Sequence, residues 1–477
     1  MLINDRRTKL VCTIGPSTSS PEMMEQLIRG GMNVVRLNFS HGTHEVHKKS
    51  IDTIRELSDK FGVNIPILMD LQGPKIRVGR MKGEGAQLED HSYVKLTPED
   101  IEGDNERIPI DYPNLALDVK PGNTILMDDG LMELKIVKIT GDDITARVIN
   151  GGFLKTRKGV NLPDVKTSVS AITEKDERDL DFGLNEGVDF VAISFVRSAS
   201  DVQQLISKVR VRGSNAGIIA KIEKPEALSE IDDIIQQADG IMVARGDLGI
   251  EIASERIPLI QKDIIGRCKT AGKPVITATQ MLESMMTNPR PTRAESSDVA
   301  NAVLDGTDAV MLSGETAAGK FPLEAVRNMD KICRNIESKT DTIYKTLEFV
   351  QPEWREKQVV ESLSYSCVTV GDAVEAKIIA VITHSGTTAR RIAKFRPRVP
   401  VIAFTESSEV RRQLNLVWGV TSIQLDALFD TDTSVKRIED YLKESGLVKK
   451  GDRIVVAAGM PVSKRGSTNM IKVSSIE

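Results

Sequence analysis

Lys221, Glu223, Arg245 and Asp247 each stand just past a short apolar run, residues 217–220 before the first pair and 240–244 before the second. Such runs, bounded by turn residues, read as neighbouring strands of a parallel sheet with a helical segment between them. Barrels and open α/β sheets place their chemistry at the carboxyl ends of strands, where loops converge and helix N-termini present free N–H groups. Two carboxylates beside a lysine can hold a divalent cation and leave a positive charge for an anionic substrate. Mg²⁺ suits the set, because it takes one or two protein carboxylates and fills its other positions with phosphate oxygens and water. The plainer reading of the same residues is a surface salt-bridge cluster.

Other strand ends carry matching groups. Residues 33–42 (NVVRLNFSHG) place Arg36, Asn38, Ser40 and His41 at one of them. Arginine offers a planar fork for phosphate oxygens, and Asn and Ser offer neutral oxygens of the kind hard cations accept. An arginine in a barrel strand needs an anionic partner, either a ligand or an internal carboxylate. Residues 69–79 (MDLQGPKIRVG) add Asp70, Lys75 and Arg77, and residues 157–163 bring Lys158 across the same cleft. Two cations flanking a hinge suit a polyphosphate that is clamped on closure; Lys158 by itself is also an ordinary solvated residue. Thr279 follows a further strand, where its hydroxyl can bond a substrate, relay a proton or cap a helix. Ser313, Glu315 and Thr316 follow the last such strand as supporting or capping residues.

The elements that must position these groups alternate. Strands are expected at 9–14, 33–37, 65–70, 190–195, 218–221, 241–244, 275–279 and 309–312, with helices such as 21–29, 44–60 and 173–185 between them. Eight strand-plus-helix units are the number of a (β/α)₈ TIM barrel; an open doubly wound sheet is the alternative. Residues 71–165 break the rhythm with short extended runs and turn signals and no helical pattern, the signature of an inserted all-β domain. Beyond 345 a helix over 358–370 and strands at 378–383, 401–404, 421–424, 453–457 and 470–473 read as a separate C-terminal α/β domain. The expected division is therefore 1–70 with 166–344 as the barrel, 71–165 as the insertion and 345–477 as the C-terminal domain.

At 477 residues the chain is long enough for two to four domains, and its net charge of −4 argues against nucleic acid or anionic membranes as partners. Four scattered cysteines without CxxC spacing indicate neither a disulfide framework nor a zinc site. With no signal-like apolar segment at the start and no long apolar run, a soluble, cytoplasmic protein is expected.

Taken together, VRLNFSHG, the D-x-x-GP-x-IR segment, KGVNLP, KIE, ARGDLG, ATQMLESM, PTRAE and AVMLSGET resemble the pyruvate kinase family, in order and over almost the whole chain. The resemblance implies transfer of phosphate from phosphoenolpyruvate to ADP. By it, Glu223 and Asp247 hold Mg²⁺, the amides around Ala244, Arg245, Gly246 and Asp247 receive the substrate carboxylate, and Lys221 and Arg36 neutralise the phosphoryl group. Thr279 lies near the carbon that is protonated, while Arg77, Lys158 and His41 face a nucleotide that brings a second Mg²⁺. Many members hold K⁺ with oxygens equivalent to those of Asn38, Ser40 and Asp70 and the residue after that aspartate. Here that residue is Leu71, and Lys75 stands where a glutamate is usual, so the chain resembles the branch that does not require K⁺.

Residues 382–388 (ITHSGTT) leave a strand and enter a helix, which suggests a phosphate cradle built from Thr383, Ser385, Thr387 and Thr388 for a sugar-phosphate or AMP activator; a helix cap is the alternative. Residues 459–469 resemble a second effector loop, and tetramers are the family habit. Two competing readings are a Mg²⁺-dependent aldolase of pyruvate and a catalytically silent sensor of phosphometabolites. The insertion with its Arg77 and Lys158 pair weighs against the first, and the intact Lys221, Glu223, Asp247, Arg36 and Thr279 against the second.

Overall fold

The computed structural model describes residues 6–163, 165–339, 355–426, 430–461 and 468–477, with backbone only over 355–358. Eight parallel strands close into a barrel: β1 (Lys9–Ile14), β2 (Val34–Asn38), β3 (Ile67–Asp70), β4 (Phe190–Ile193), β5 (Gly217–Ile222), β6 (Gly240–Ala244), β7 (Val275–Ala278) and β8 (Ala309–Leu312). Each pairs with the next in sequence, and β8 returns to β1 with Lys9 opposite Ala309. The strands are β-branched and apolar because both faces are covered: one side packs Val11, Val34, Leu68, Ile219, Met242 and Ile276 inside the barrel, the other meets the helices. Local chemistry ends the helices where expected. Ser20 caps Pro21–Gly30, Gly31 closes it at φ 115°, and Thr173 and Thr292 form capping boxes. The open-sheet alternative is excluded by closure.

Between β3 and β4 the chain builds a six-stranded sheet and a two-stranded one around a separate buried cluster that includes Val94, Leu96, Ile125, Leu134, Ile144 and Val148. Contrary to expectation this insertion holds one helical turn, Leu115–Asp118, too short to show a period in sequence. The C-terminal sheet has five strands with buried clusters on both faces. It docks at the amino end of the barrel strands. Asp308, which caps Val275 N–H at 3.1 Å, takes Arg396 at 3.0 Å, and Asp189, which caps Ile67 N–H at 2.8 Å, takes Arg412. The carboxyl ends of the strands, on the opposite side, stay free for chemistry. No described helix is long and apolar enough to cross a membrane.

Candidate active site

Lys221, near the end of β5, is buried with its ammonium held by three acceptors: Ser194 Oγ at 2.8 Å, Glu223 Oε1 at 2.9 Å and Asp70 Oδ1 at 3.2 Å. Three N–H bonds meet three oxygens, so the charge has a fixed position. Asp70, at the end of β3, also accepts from Arg36 Nε at 2.6 Å through its other oxygen. Arg36, on β2, is steadied by Thr13 Oγ1 at 3.0 Å. One buried carboxylate thus gathers two cations, one from β2 and one from β5. Burial by itself would push the Asp70 carboxyl up, but Lys221 and Arg36 overcome it and hold it below the usual range. Burial pulls the Lys221 ammonium down, and Asp70 and Glu223 together hold it above its ordinary value. Glu223 goes the other way. Burial, with Asp247 nearby, raises it despite Lys221 and the amide of Phe195, which donates to Oε2 at 2.7 Å.

Helix Arg245–Glu251 begins directly after β6 and brings Asp247 to the same rim. The Gly246 N–H, one of the amides a helix leaves unpaired at its start, donates to Thr279 Oγ1 at 2.7 Å. Thr279 donates in turn to Ala278 C=O at 2.6 Å. The side chain of Arg245 points away from this rim. It binds Asp298 at 2.7 Å and the carbonyl of Thr279 at 2.8 Å, which braces a backbone held left-handed at Thr279 (φ 66°) and Gln280 (φ 52°). Left-handed backbone at a β-branched residue is costly and persists where the surroundings enforce it.

The Lys75 ammonium lies 3.5 Å from Asp247 Oδ1. Both oxygens of Asp70 already face a cation, Arg36 and Lys221. Asn38 Oδ1 accepts from Ser40 N–H at 3.1 Å. His41 lies at the same mouth, its pKa lowered by burial and then by Arg77, Arg36 and Lys75, which marks a crowd of positive charge. On the insertion Arg77 reaches the carbonyl of Arg157 at 3.1 Å, and Lys158 pairs with Asp128 at 2.6 Å. In the C-terminal domain Thr383 Oγ1 accepts from Gly386 N–H at 2.9 Å, Ser385 and Thr387 share a hydroxyl contact at 3.0 Å, and Thr388 meets Thr468 at 2.7 Å. Most of the second expected effector loop, 462–467, lies outside the described residues.

Among the described residues no group of three or more His, Cys, Asp or Glu forms a metal site. What the rim offers is the pair Glu223 and Asp247, close enough that Asp247 raises Glu223. Two carboxylates fit a hard ion that completes its shell with water and substrate oxygens, and do not fit a closed zinc site. Sequence reasoning missed Ser194, Thr13 and Glu251. Ser194 had a signal, since it directly follows the apolar run of β4 as Lys221 follows residues 217–220. Ser313 Oγ, past β8, is buried with no hydrogen-bond partner.

Known proteins are similar to this chain in sequence and fold. The family model "Pyruvate kinase, barrel domain" matches residues 5–326, and "Pyruvate kinase, alpha/beta domain" matches 361–474. A pyruvate kinase of Staphylococcus saprophyticus is 46% identical over 471 residues, covering 98% of this chain and 80% of that protein. One from Staphylococcus aureus strain MRSA252 is 46% identical over 470 residues, with the same coverage. The crystal structure of a Cryptosporidium parvum pyruvate kinase superimposes with a TM-score of 0.90 at 38% identity, over 100% of this chain and 97% of that one. A closed barrel with an inserted β domain, a lysine and two carboxylates at its rim, and these matches along nearly the whole length lead to one conclusion: the chain belongs to the pyruvate kinase family.

Proposed function

We propose that the protein moves the phosphoryl group of phosphoenolpyruvate to ADP, giving pyruvate and ATP. The P–O bond of the enol phosphate breaks, a bond forms to a terminal oxygen of ADP, and the enolate left behind takes a proton at carbon. The observation that carries this is the buried Lys221 ammonium fixed by Ser194, Glu223 and Asp70. Phosphoryl transfer depends on positioning and on fixed charge more than on a covalent nucleophile. Lys221 would face the oxygen on which negative charge grows, and Arg36 would grip the phosphate from the side of β2. Glu223 and Asp247 would hold Mg²⁺, which when bound supplies Lewis-acid charge for the substrate's oxygens. The amides of Gly246 and Asp247 would orient the carboxylate, with Thr279 near the carbon that is protonated. Arg77, Lys158 and His41 would receive the nucleotide and its own Mg²⁺.

Lys75 beside Asp247 and Asp70 between two cations support a site that has its positive charge built in, so we propose that K⁺ is not required. The proposed domain limits, 1–70 with 166–344, 71–165 and 345–477, are supported by the separate buried clusters, although the limit at 344 and 345 lies outside the described residues. The hydroxyls of Thr383, Ser385, Thr387 and Thr388 support binding of a phosphorylated activator. Ribose 5-phosphate, AMP and fructose 1,6-bisphosphate should be titrated against the phosphoenolpyruvate saturation curve, and no shift with any of them rejects the cradle. A tetramer, tested by light scattering, and a cytoplasmic location belong to the same reading. The decisive assay couples pyruvate formation to lactate dehydrogenase, with and without Mg²⁺. Pyruvate that requires phosphoenolpyruvate, ADP and Mg²⁺ together is expected; none with all three present rejects the function.

A further inference from the structure

Glu251 ends the helix that carries Asp247, and it is the buried meeting point of three segments. Its Oε1 accepts from Lys224 at 2.5 Å, next to Glu223 on the loop after β5, and from Asn161 Nδ2 at 2.9 Å on the returning strand of the insertion. Asn161 closely follows Lys158, and the same short strand is tied to the hinge by Val160 N–H to Ile76 C=O at 3.0 Å. Near the Asp128 that pairs with Lys158, a side chain placed at Gly130 would meet Ile250 of this helix, so the insertion lies close to the helix there as well. Asp247 and Glu251 are four apart and share one face of the helix. Glu251 therefore joins the helix that carries Asp247 to the strand Val160–Asn161, two residues past Lys158.

We infer that Glu251 is the clasp that seats the inserted domain: a positioning residue which, through Asn161, fixes the cations of that domain over the barrel rim. A buried carboxylate left with a donor missing is costly, so the seated domain is favoured until water or a ligand replaces the Asn161 amide. The inference rests on the proposed function for its kinetic arm, because the nucleotide is what the seated cations would grip.

The test uses the full chain with Asn161→Ala and Asn161→Asp. The first deletes the donor; the second keeps the side chain's shape and sets a carboxylate against Glu251. KM for ADP should rise roughly three- to tenfold in Asn161→Ala, the span of one net hydrogen bond, with KM for phosphoenolpyruvate unchanged. Asn161→Asp should exceed it. Small-angle scattering of both ligand-free variants should show a larger radius of gyration than the native chain. Native ADP dependence and native scattering in both variants overturn the clasp, as does a rise of both KM values together, which signals general damage. If the native chain makes no pyruvate at all, the proposed function fails while scattering still decides the clasp.

Discussion

Replacing Lys221 with alanine removes a cation that lies 2.9 Å from one buried carboxylate and 3.2 Å from another. At an effective dielectric of about 20, each contact is worth roughly 5 kcal/mol before desolvation is counted, and breaking a buried pair costs about 3–5 kcal/mol net. The two carboxylates do not share this loss equally. Asp70 keeps Arg36 at 2.6 Å, whereas Glu223 keeps one backbone amide at 2.7 Å. Glu223 is already raised by burial and by Asp247, so without Lys221 it is the group that takes a proton. A carboxyl raised in the folded state stabilises the protein below its unfolded pKa, and this contribution is lost as pH rises through the folded value. The ligand-free variant should therefore lose stability with rising pH more steeply than the native protein. A metal must displace that proton, so Mn²⁺ affinity in the variant should strengthen by up to about tenfold per pH unit, more steeply than in the native chain. Loss of a fixed positive charge at the reacting oxygens should also lower kcat by about 100- to 1,000-fold. Mn²⁺ titration by electron paramagnetic resonance at about pH 6, 7 and 8, with urea denaturation at each, reads the first two effects. A pH dependence no steeper than native, together with kcat within threefold of native, would refute the electrostatic reasoning.

Thr279→Val keeps the β-branch at the left-handed φ of 66° and removes only the hydroxyl that joins Gly246 to Ala278, so kcat should fall about ten- to 100-fold with little change in thermal midpoint. Thr279→Ser, measured alongside, should recover most of the loss. Ser194→Ala takes one of three acceptors from Lys221 but none from the Asp247 side; kcat should drop several-fold while Mn²⁺ affinity holds, and an equal fall in both would reject a positioning role. Exchange of K⁺ for Na⁺ or tetramethylammonium should leave the rate within about twofold, because Lys75 and the cations around Asp70 already supply the charge. Many-fold stimulation by K⁺ contradicts this.

The barrel was readable because its strands are buried on both faces and so appear as continuous apolar runs, and two of them, at 217–220 and 240–244, are followed at once by charge. Lys221, Glu223 and Asp247 were read by that rule, Arg36 as a cation inside a strand and Thr279 as a hydroxyl just past one, and the structure places them at one rim. What the sequence could not show is which cation meets which anion. Lys75 and Asp70 lie five positions apart, yet Lys75 pairs with Asp247 while Arg36 and Lys221 pair with Asp70. Arg245 is one of the four charges that follow the strand ends in sequence, but its side chain turns back to brace the loop after β7, since the carbonyls freed by left-handed backbone need donors. Glu251 and Asn161 carry no local signal, because their contact joins segments separated by ninety residues.

The chemistry assigned to this rim depends on Glu223 and Asp247 holding one divalent cation between them. Counting tight Mn²⁺ sites by paramagnetic resonance in the native chain, Glu223→Gln and Asp247→Asn, without nucleotide, addresses that directly. One site in the native protein, weakened at least about 100-fold in each variant while the fold persists, is the expected result. Native Mn²⁺ affinity in either variant would mean that the cation is held elsewhere, and that the carboxylates beside Lys221 serve the fold alone.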